Sequence, residues 1–255
     1  MSLDDTVPGR SADAVAGALG GVVAGAVASE PPAWYGKLAS LGDFATRRLP
    51  QDTARLLDGW LAQGVDTSRA QLGERWLNVY LTSPLWRFAW APGVLDSSWW
   101  FGLMMPSVDN VGRYFPLIVL QSRAEAPASG DALDRLEQWY AAVARAALRT
   151  LQPGSSLEQF EAELAQLNGA SPLPVSSPAA PWAAAQWPDR TRHEVEVGTS
   201  LASCLGQLSV VESLRRFRGC SLWWSLRPGA QDSSLSMAVG LPPREAFVNL
   251  IEGVW

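Results

Sequence analysis

The sequence predicts a mixed α+β fold: one largely antiparallel sheet with a central buried hairpin, flanked by helices. Three observations carry that prediction. Two apolar runs, Trp99 to Met105 and Phe115 to Leu120, show no apolar/polar alternation, as strands covered on both faces do. The polar stretch between them, Ser107 to Tyr114, holds the turn formers Asp109, Asn110 and Gly112, so the two runs fold back on each other. Helical spacing of apolar residues appears before and after this hairpin.

The elements follow in order. Residues 1 to 32 read as a flexible lead-in rich in Ala, Gly and Val. Its apolar part, Ala14 to Ala28, is too short to span a bilayer as a helix. Ala26-Val27-Ala28 resembles a signal cleavage site, but Asp4, Asp5 and Asp13 precede it where a signal peptide carries positive charge. Trp34 to Leu38 reads as a first strand and Ala39 to Ala45 as a loop. A helix fits Gln51 to Gln63, with Leu57, Trp60 and Leu61 on one face and Gly64 as its stop. A second helical stretch, capped by Asp66 or Thr67 and broken near Gly73, runs to Ser83-Pro84. Trp86 to Trp90 is a strand, and Pro92-Gly93 turns the chain into the central hairpin.

Beyond Arg123 the period becomes helical. Asp131 to Thr150 carries Leu133, Leu136, Tyr140, Val143 and Ala147 on one stripe. Ser155 and Glu158 form a capping-box pattern before Leu157, Phe160, Leu164 and Leu167. Residues 170–189 contain five prolines and read as an internal linker. Leu201 to Phe217 is helical in part. Ser221 to Leu226 and Leu235 to Val239 form a second hairpin around Pro228-Gly229. Leu235, Met237 and Val239 alternate with Ser236 and Ala238, as on an edge strand or one covered on one side. Pro242-Pro243 opens a short last helix with Phe247, Leu250 and Ile251 inward. A hairpin and one helix cannot bury a core alone, so residues 33–255 are expected to form one domain.

Composition narrows the function. The net charge is -5, which offers no basic field to nucleic acid or anionic lipid. Lys37 is the only lysine among the basic residues, and Arg holds carboxylates in bidentate pairs better than Lys does. Cys204 and Cys220 form no CxxC pair, and a reducing compartment is the simpler reading. One histidine, His193, makes a poor basis for a metal site or a His-based triad.

Catalytic motifs are sparse. No GxSxG elbow and no GxxxxGK[ST] loop occurs. A hydrolase could be drawn from Ser107, Asp109 and His193, but nothing places His193 near the others. Asp43 and Asp109 could act as an acid–base pair or hold a metal, or each could cap its loop or meet an arginine. No cofactor is expected. The two polar loops, Lys37 to Arg48 and Ser107 to Arg113, are the candidate binding surface, with Lys37, Asp43, Arg47, Asp109 and Arg113 as its residues. Arg beside aromatics is favoured at interface centres, and loops carry binding residues more often than core elements do. The alternative is an internal network in which Arg47 or Arg113 neutralises Asp43 or Asp109.

Gly36-Lys37-Leu38-Ala39-Ser40-Leu41-Gly42-Asp43-Phe44 and Arg47-Arg48-Leu49-Pro50 resemble the start of the TagF/ImpM family of type VI secretion accessory proteins. The likeness continues through Trp60-Leu61, Trp76, Tyr80 and Ser83 to Phe88. It is strongest from Met105 to Leu117 and returns at Ser221-Leu222-Trp223-Trp224, Gly240-Leu241-Pro242 and Gly253-Val254-Trp255. Ala39 stands where the family pattern usually has proline. The resemblance implies a cytoplasmic, non-enzymatic repressor that acts after translation by sequestering a forkhead-associated-domain scaffold protein of the secretion system. Some members carry a PP2C-type phosphatase domain. This sequence shows none, and the resemblance transfers no catalytic residue. The acidic net charge and the short apolar stretch, read above, lead to the expectation of no nucleic-acid partner and no direct membrane insertion. A structural or assembly component of the same apparatus is the alternative, and the hydrolase a more distant one.

Overall fold

In the computed structural model, which describes residues 30–127, 130–167, 216–226 and 234–255, seven strands hydrogen-bond into one sheet. They are β1 (Ala33–Gly36), β2 (Ala45–Arg47), β3 (Leu85–Trp90), β4 (Trp99–Met105), β5 (Leu117–Arg123), β6 (Cys220–Leu226) and β7 (Leu235–Val239). Their spatial order is β2-β1-β5-β4-β3-β6-β7, and every neighbouring pair is antiparallel. The expected hairpin is β4–β5, with Met105 opposite Leu117, and β4 is the middle strand. Their apolar runs lack alternation because helices cover both faces.

On one face lie α3 (Gly130–Arg149) and α4 (Leu157–Gln166). Leu136, Trp139, Tyr140, Val143, Phe160 and Leu164 pack there against Trp34, Phe101, Leu103 and Val119 of the sheet. On the other face lie α1 (Gln51–Leu72), α2 (Trp76–Leu81) and α5 (Phe247–Glu252). Leu57, Leu61, Tyr80, Phe247 and Leu250 meet Trp86, Phe88, Trp90 and Trp223 there. A sheet between two helical layers buries both sets of side chains, and burial of such aromatics dominates core energetics.

The C-terminal segment completes this sheet. β6 pairs with β3 from Leu226–Leu85 to Ser221–Trp90. The Trp86 indole donates to the Leu250 carbonyl at 2.7 Å, and the Trp60 indole to the Pro242 carbonyl at 2.8 Å. Indoles in an apolar layer need such acceptors, and here they tie α5 and the segment leading into it to the first half of the chain.

Several expectations need correction. Gly64 does not stop a helix: α1 continues through it to Leu72, and the chain changes direction at Gly73 (φ 55°). Gly64 is there because a Cβ would lie 2.4 Å from the Phe247 ring. Neither Asp66 nor Thr67 is therefore a cap. β1 ends at Gly36, and Ala45–Arg47 forms a short strand on it. The cap of α4 is Ser156, whose hydroxyl accepts from the Gln159 amide at 3.1 Å, one residue later than Ser155. Leu133 is exposed rather than on the buried stripe of α3. Residues 1–29, 170–189, Pro228-Gly229, and all but the last two residues of Leu201 to Phe217 lie outside the described residues. No helix among the described residues is long and apolar enough to cross a membrane.

Candidate functional site

The ends of β1 and β4 and the start of β5 meet at one edge of the sheet, because Gly36 and Met105 both lie opposite Leu117. The loops that leave them, 37–44 and 106–116, are therefore neighbours. Gly36 permits the contact. Its φ is 133°, and a Cβ there would sit 2.1 Å from the Pro116 carbonyl oxygen. The Asn110 amide donates to the Leu41 carbonyl at 2.9 Å, and the Arg113 guanidinium donates to the Gly42 carbonyl.

Asp109 is the hub. Its Oδ2 accepts from Lys37 Nζ and from Arg113 Nε, each at 2.7 Å. Its Oδ1 accepts the backbone amides of Val111 (3.1 Å) and Arg113 (2.8 Å). Burial alone would raise its pKa. The bonds from Lys37 and Arg113 and the backbone amides outweigh that and hold the carboxyl well below the usual carboxylate range. The Lys37 and Asp109 side chains are 4% and 0% exposed, whereas Arg113 reaches solvent and approaches Asp43 at 4.0 Å.

Ser107 is engaged elsewhere. Its hydroxyl donates to the Lys37 carbonyl at 2.8 Å. Its amide donates to the Tyr80 hydroxyl (2.9 Å), which in turn donates to the Ser107 carbonyl (3.0 Å). No bond joins Ser107 to Asp109, and His193 lies outside the described residues. Among the described residues no three His, Cys, Asp or Glu side chains gather as metal ligands would.

Four of the five expected residues, Lys37, Asp43, Asp109 and Arg113, thus come together. Arg47 does not. It lies on β2, with its guanidinium on the Thr46 carbonyl. Its neighbour Arg48 pairs with Glu161 of α4 at 2.7 Å and binds the Pro32 carbonyl at 2.9 Å. Glu161 also accepts from the Trp34 indole. That cluster locks β2 to the α4 layer.

Two surface residues of the loop pair were missed by sequence reasoning. Phe44 is 44% exposed and Val111 66% exposed. The Phe44 and Phe115 rings meet at right angles with centroids 4.7 Å apart, and Lys37 Nζ lies 4.7 Å from the Phe44 ring centroid. The outer side of this end therefore offers apolar Phe44 and Val111, anionic Asp43 and cationic Arg113, all on a hydrogen-bonded frame. An apolar residue in a polar loop is the one signal that marks them, and it has no period to confirm it.

The sequence matches a family described as TagF N-terminal domain, type VI secretion system-associated, over residues 33–167. No curated protein matches the chain. Among solved structures, PA0076 from Pseudomonas aeruginosa PAO1 is similar, with 35% sequence identity and a TM-score of 0.63. The match covers 87% of this chain and 94% of that one.

Proposed function

Because the chain belongs to the TagF family associated with type VI secretion, we propose that it is a cytoplasmic, non-enzymatic repressor of that apparatus. It binds a forkhead-associated-domain scaffold protein through the loop end around Asp109 and withholds it from assembly. The accessory role in type VI secretion follows from the family. The repressor mechanism and the scaffold are this proposal. The observation that carries it is the division of labour at the loop end. Lys37 and Asp109 are buried and fix the backbone, while Phe44, Val111, Asp43 and Arg113 face outward. A surface already ordered loses little freedom on binding, and an aromatic and an arginine are the side chains that most often anchor an interface.

The test is titration of the purified chain against the scaffold. Val111→Glu and Phe44→Ala are expected to weaken binding at least tenfold, about 1.4 kcal/mol. Val111→Glu should leave the melting temperature nearly unchanged, whereas Phe44→Ala also loses its contact with Phe115 and should melt somewhat lower. In cells, overexpression of the wild-type chain is expected to reduce secretion and the two variants to restore it. Overexpression that leaves secretion unchanged would favour an assembly component instead. Unaltered scaffold binding by both variants would remove this end of the sheet from the interface.

A further inference from the structure

The far edge of the sheet is built unlike any other part of it. On β7, Leu235, Met237 and Val239 are 63%, 61% and 86% exposed. Ser236 and Ala238 between them are half-buried. The exposed set shares a face with Leu222 and Trp224, since Leu222 pairs with Met237 and Trp224 with Leu235. Leu222 and Trp224 pack against the α3–α4 layer. The apolar strip thus starts in the core and continues outward to a margin that, among the described residues, no further strand pairs with.

Edge strands present unpaired N–H and C=O groups, and proteins usually blunt them with charge, proline or brevity. β2, at the opposite edge, follows that rule: it has three residues, ends in exposed Arg47 and is followed by Arg48. β7 has five residues and carries neither charge nor proline.

We propose that β7 is a self-association interface, where a second copy of the chain adds its own β7 antiparallel across a two-fold axis perpendicular to the sheet. The strand is complementary to itself. Pairing centred on Met237 sets Leu235 against the partner's Val239, and Met237 against the partner's Met237. Apolar residues then meet apolar residues on one face, as cross-strand pairs favour. The strips running out from Leu222 and Trp224 join into one band. No charge on the strand repels its copy, and such isologous contacts are the commonest form of assembly. Size sets the strength. A stable interface buries about 800 Å² per partner, and one strand pair with three apolar side chains buries less. The association is therefore weak and rises with protein concentration.

The experiment is sedimentation velocity of the full chain over a series from low micromolar to near millimolar, with hydrogen exchange at both ends. Wild type is expected to show a reversible monomer–dimer equilibrium, with the β7 amides exchanging more slowly as concentration rises. Met237→Lys places two cations at the axis and is expected to remain monomeric, as is Leu235→Glu. Both positions are exposed, so both variants should melt like dilute wild type. Met237→Leu is expected to keep the dimer. A wild type that stays monomeric throughout, or a dimer that survives both charged variants, would overturn the proposal. Slow exchange of β7 in the dilute monomer would overturn it too, because the edge would then be covered within one chain.

Discussion

Lys37 Nζ lies 2.7 Å from Asp109 Oδ2, and both side chains are almost wholly withdrawn from water. The only lysine of the chain is therefore spent inside the protein. Lys37 follows β1 directly and Asp109 sits in the β4–β5 turn, so the pair clamps two loops that are 72 residues apart in sequence. Arg113 completes the clamp from the solvent side, where its guanidinium reaches the Gly42 carbonyl.

This asymmetry separates the two cations by their effect on stability. Lys37→Met is expected to lower the melting midpoint by about 5–10 °C, because a buried carboxylate loses its buried partner. Arg113→Ala removes a half-exposed group while Lys37 and the two backbone amides stay on Asp109, so a fall of about 2 °C is expected. Equal losses in thermal melts of the two variants would mean that the clamp is not divided in this way.

The same hub sets an acid dependence. The pKa of Asp109 is depressed in the folded state, so its contribution is complete above the unfolded value, about 3.9. It is lost as pH falls through the folded value. The stability difference between wild type and Asp109→Asn should be flat from neutrality to about pH 5 and narrow below about pH 4. A difference that widened on acidification would reverse the sign of this linkage.

Gly64 offers a test of packing against propensity. Gly to Ala inside a helix ordinarily stabilises by about 1 kcal/mol. Here the new Cβ meets the Phe247 ring at 2.4 Å, so Gly64→Ala is expected to destabilise. Phe247→Leu should relieve part of that penalty, giving a coupling of about 1 kcal/mol or more in a double-mutant cycle. Additive effects would show that α5 shifts away without cost.

The parts of this fold legible in the sequence are those with a local signal. The β4–β5 hairpin shows as two unbroken apolar runs around turn residues, and Trp86 to Trp90 as a short aromatic-rich stretch interrupted by Arg87. What escaped depends on contacts made far along the chain. Gly64 looks like a helix stop because Phe247 is 183 residues away (247 − 64). Ser155 and Ser156 are adjacent and both could cap, and only the backbone decides between them. At the loop end, charge and loop position marked Lys37, Asp43, Asp109 and Arg113 as candidate binding residues; the structure brings them together but buries Lys37 and Asp109. It also marked Arg47, which the antiparallel register of β1 and β2 carries away from the turn. Phe44 and Val111 gave no periodic signal. The alternation on β7 was legible, but the expectation that it would lie on a half-covered or edge strand did not say which face stays open.

Trp223 links the two halves of the chain. It is fully buried, with ring centroids 5.2 Å from Phe88, 5.6 Å from Trp90 and 6.0 Å from Trp60. Its own indole donates to the Ser221 hydroxyl at 3.0 Å. Phe88 and Trp90 lie on β3 and Trp60 on α1, so β6 brings one side chain into a cluster that the first ninety or so residues supply. Trp224 points the other way, edge-on to Tyr140 at 5.1 Å, and is only half-buried. Trp223→Ala is expected to cost about 3–5 kcal/mol, as for an aromatic removed from a close-packed site. Trp224→Ala should cost about half as much, because water already reaches its site and fewer contacts are lost. Urea unfolding of both variants measures this. A single cooperative transition should remain in each, since the segment belongs to the same sheet. A second transition in Trp223→Ala, with β6 and β7 melting ahead of the rest, would instead mark the C-terminal segment as a separately folding unit.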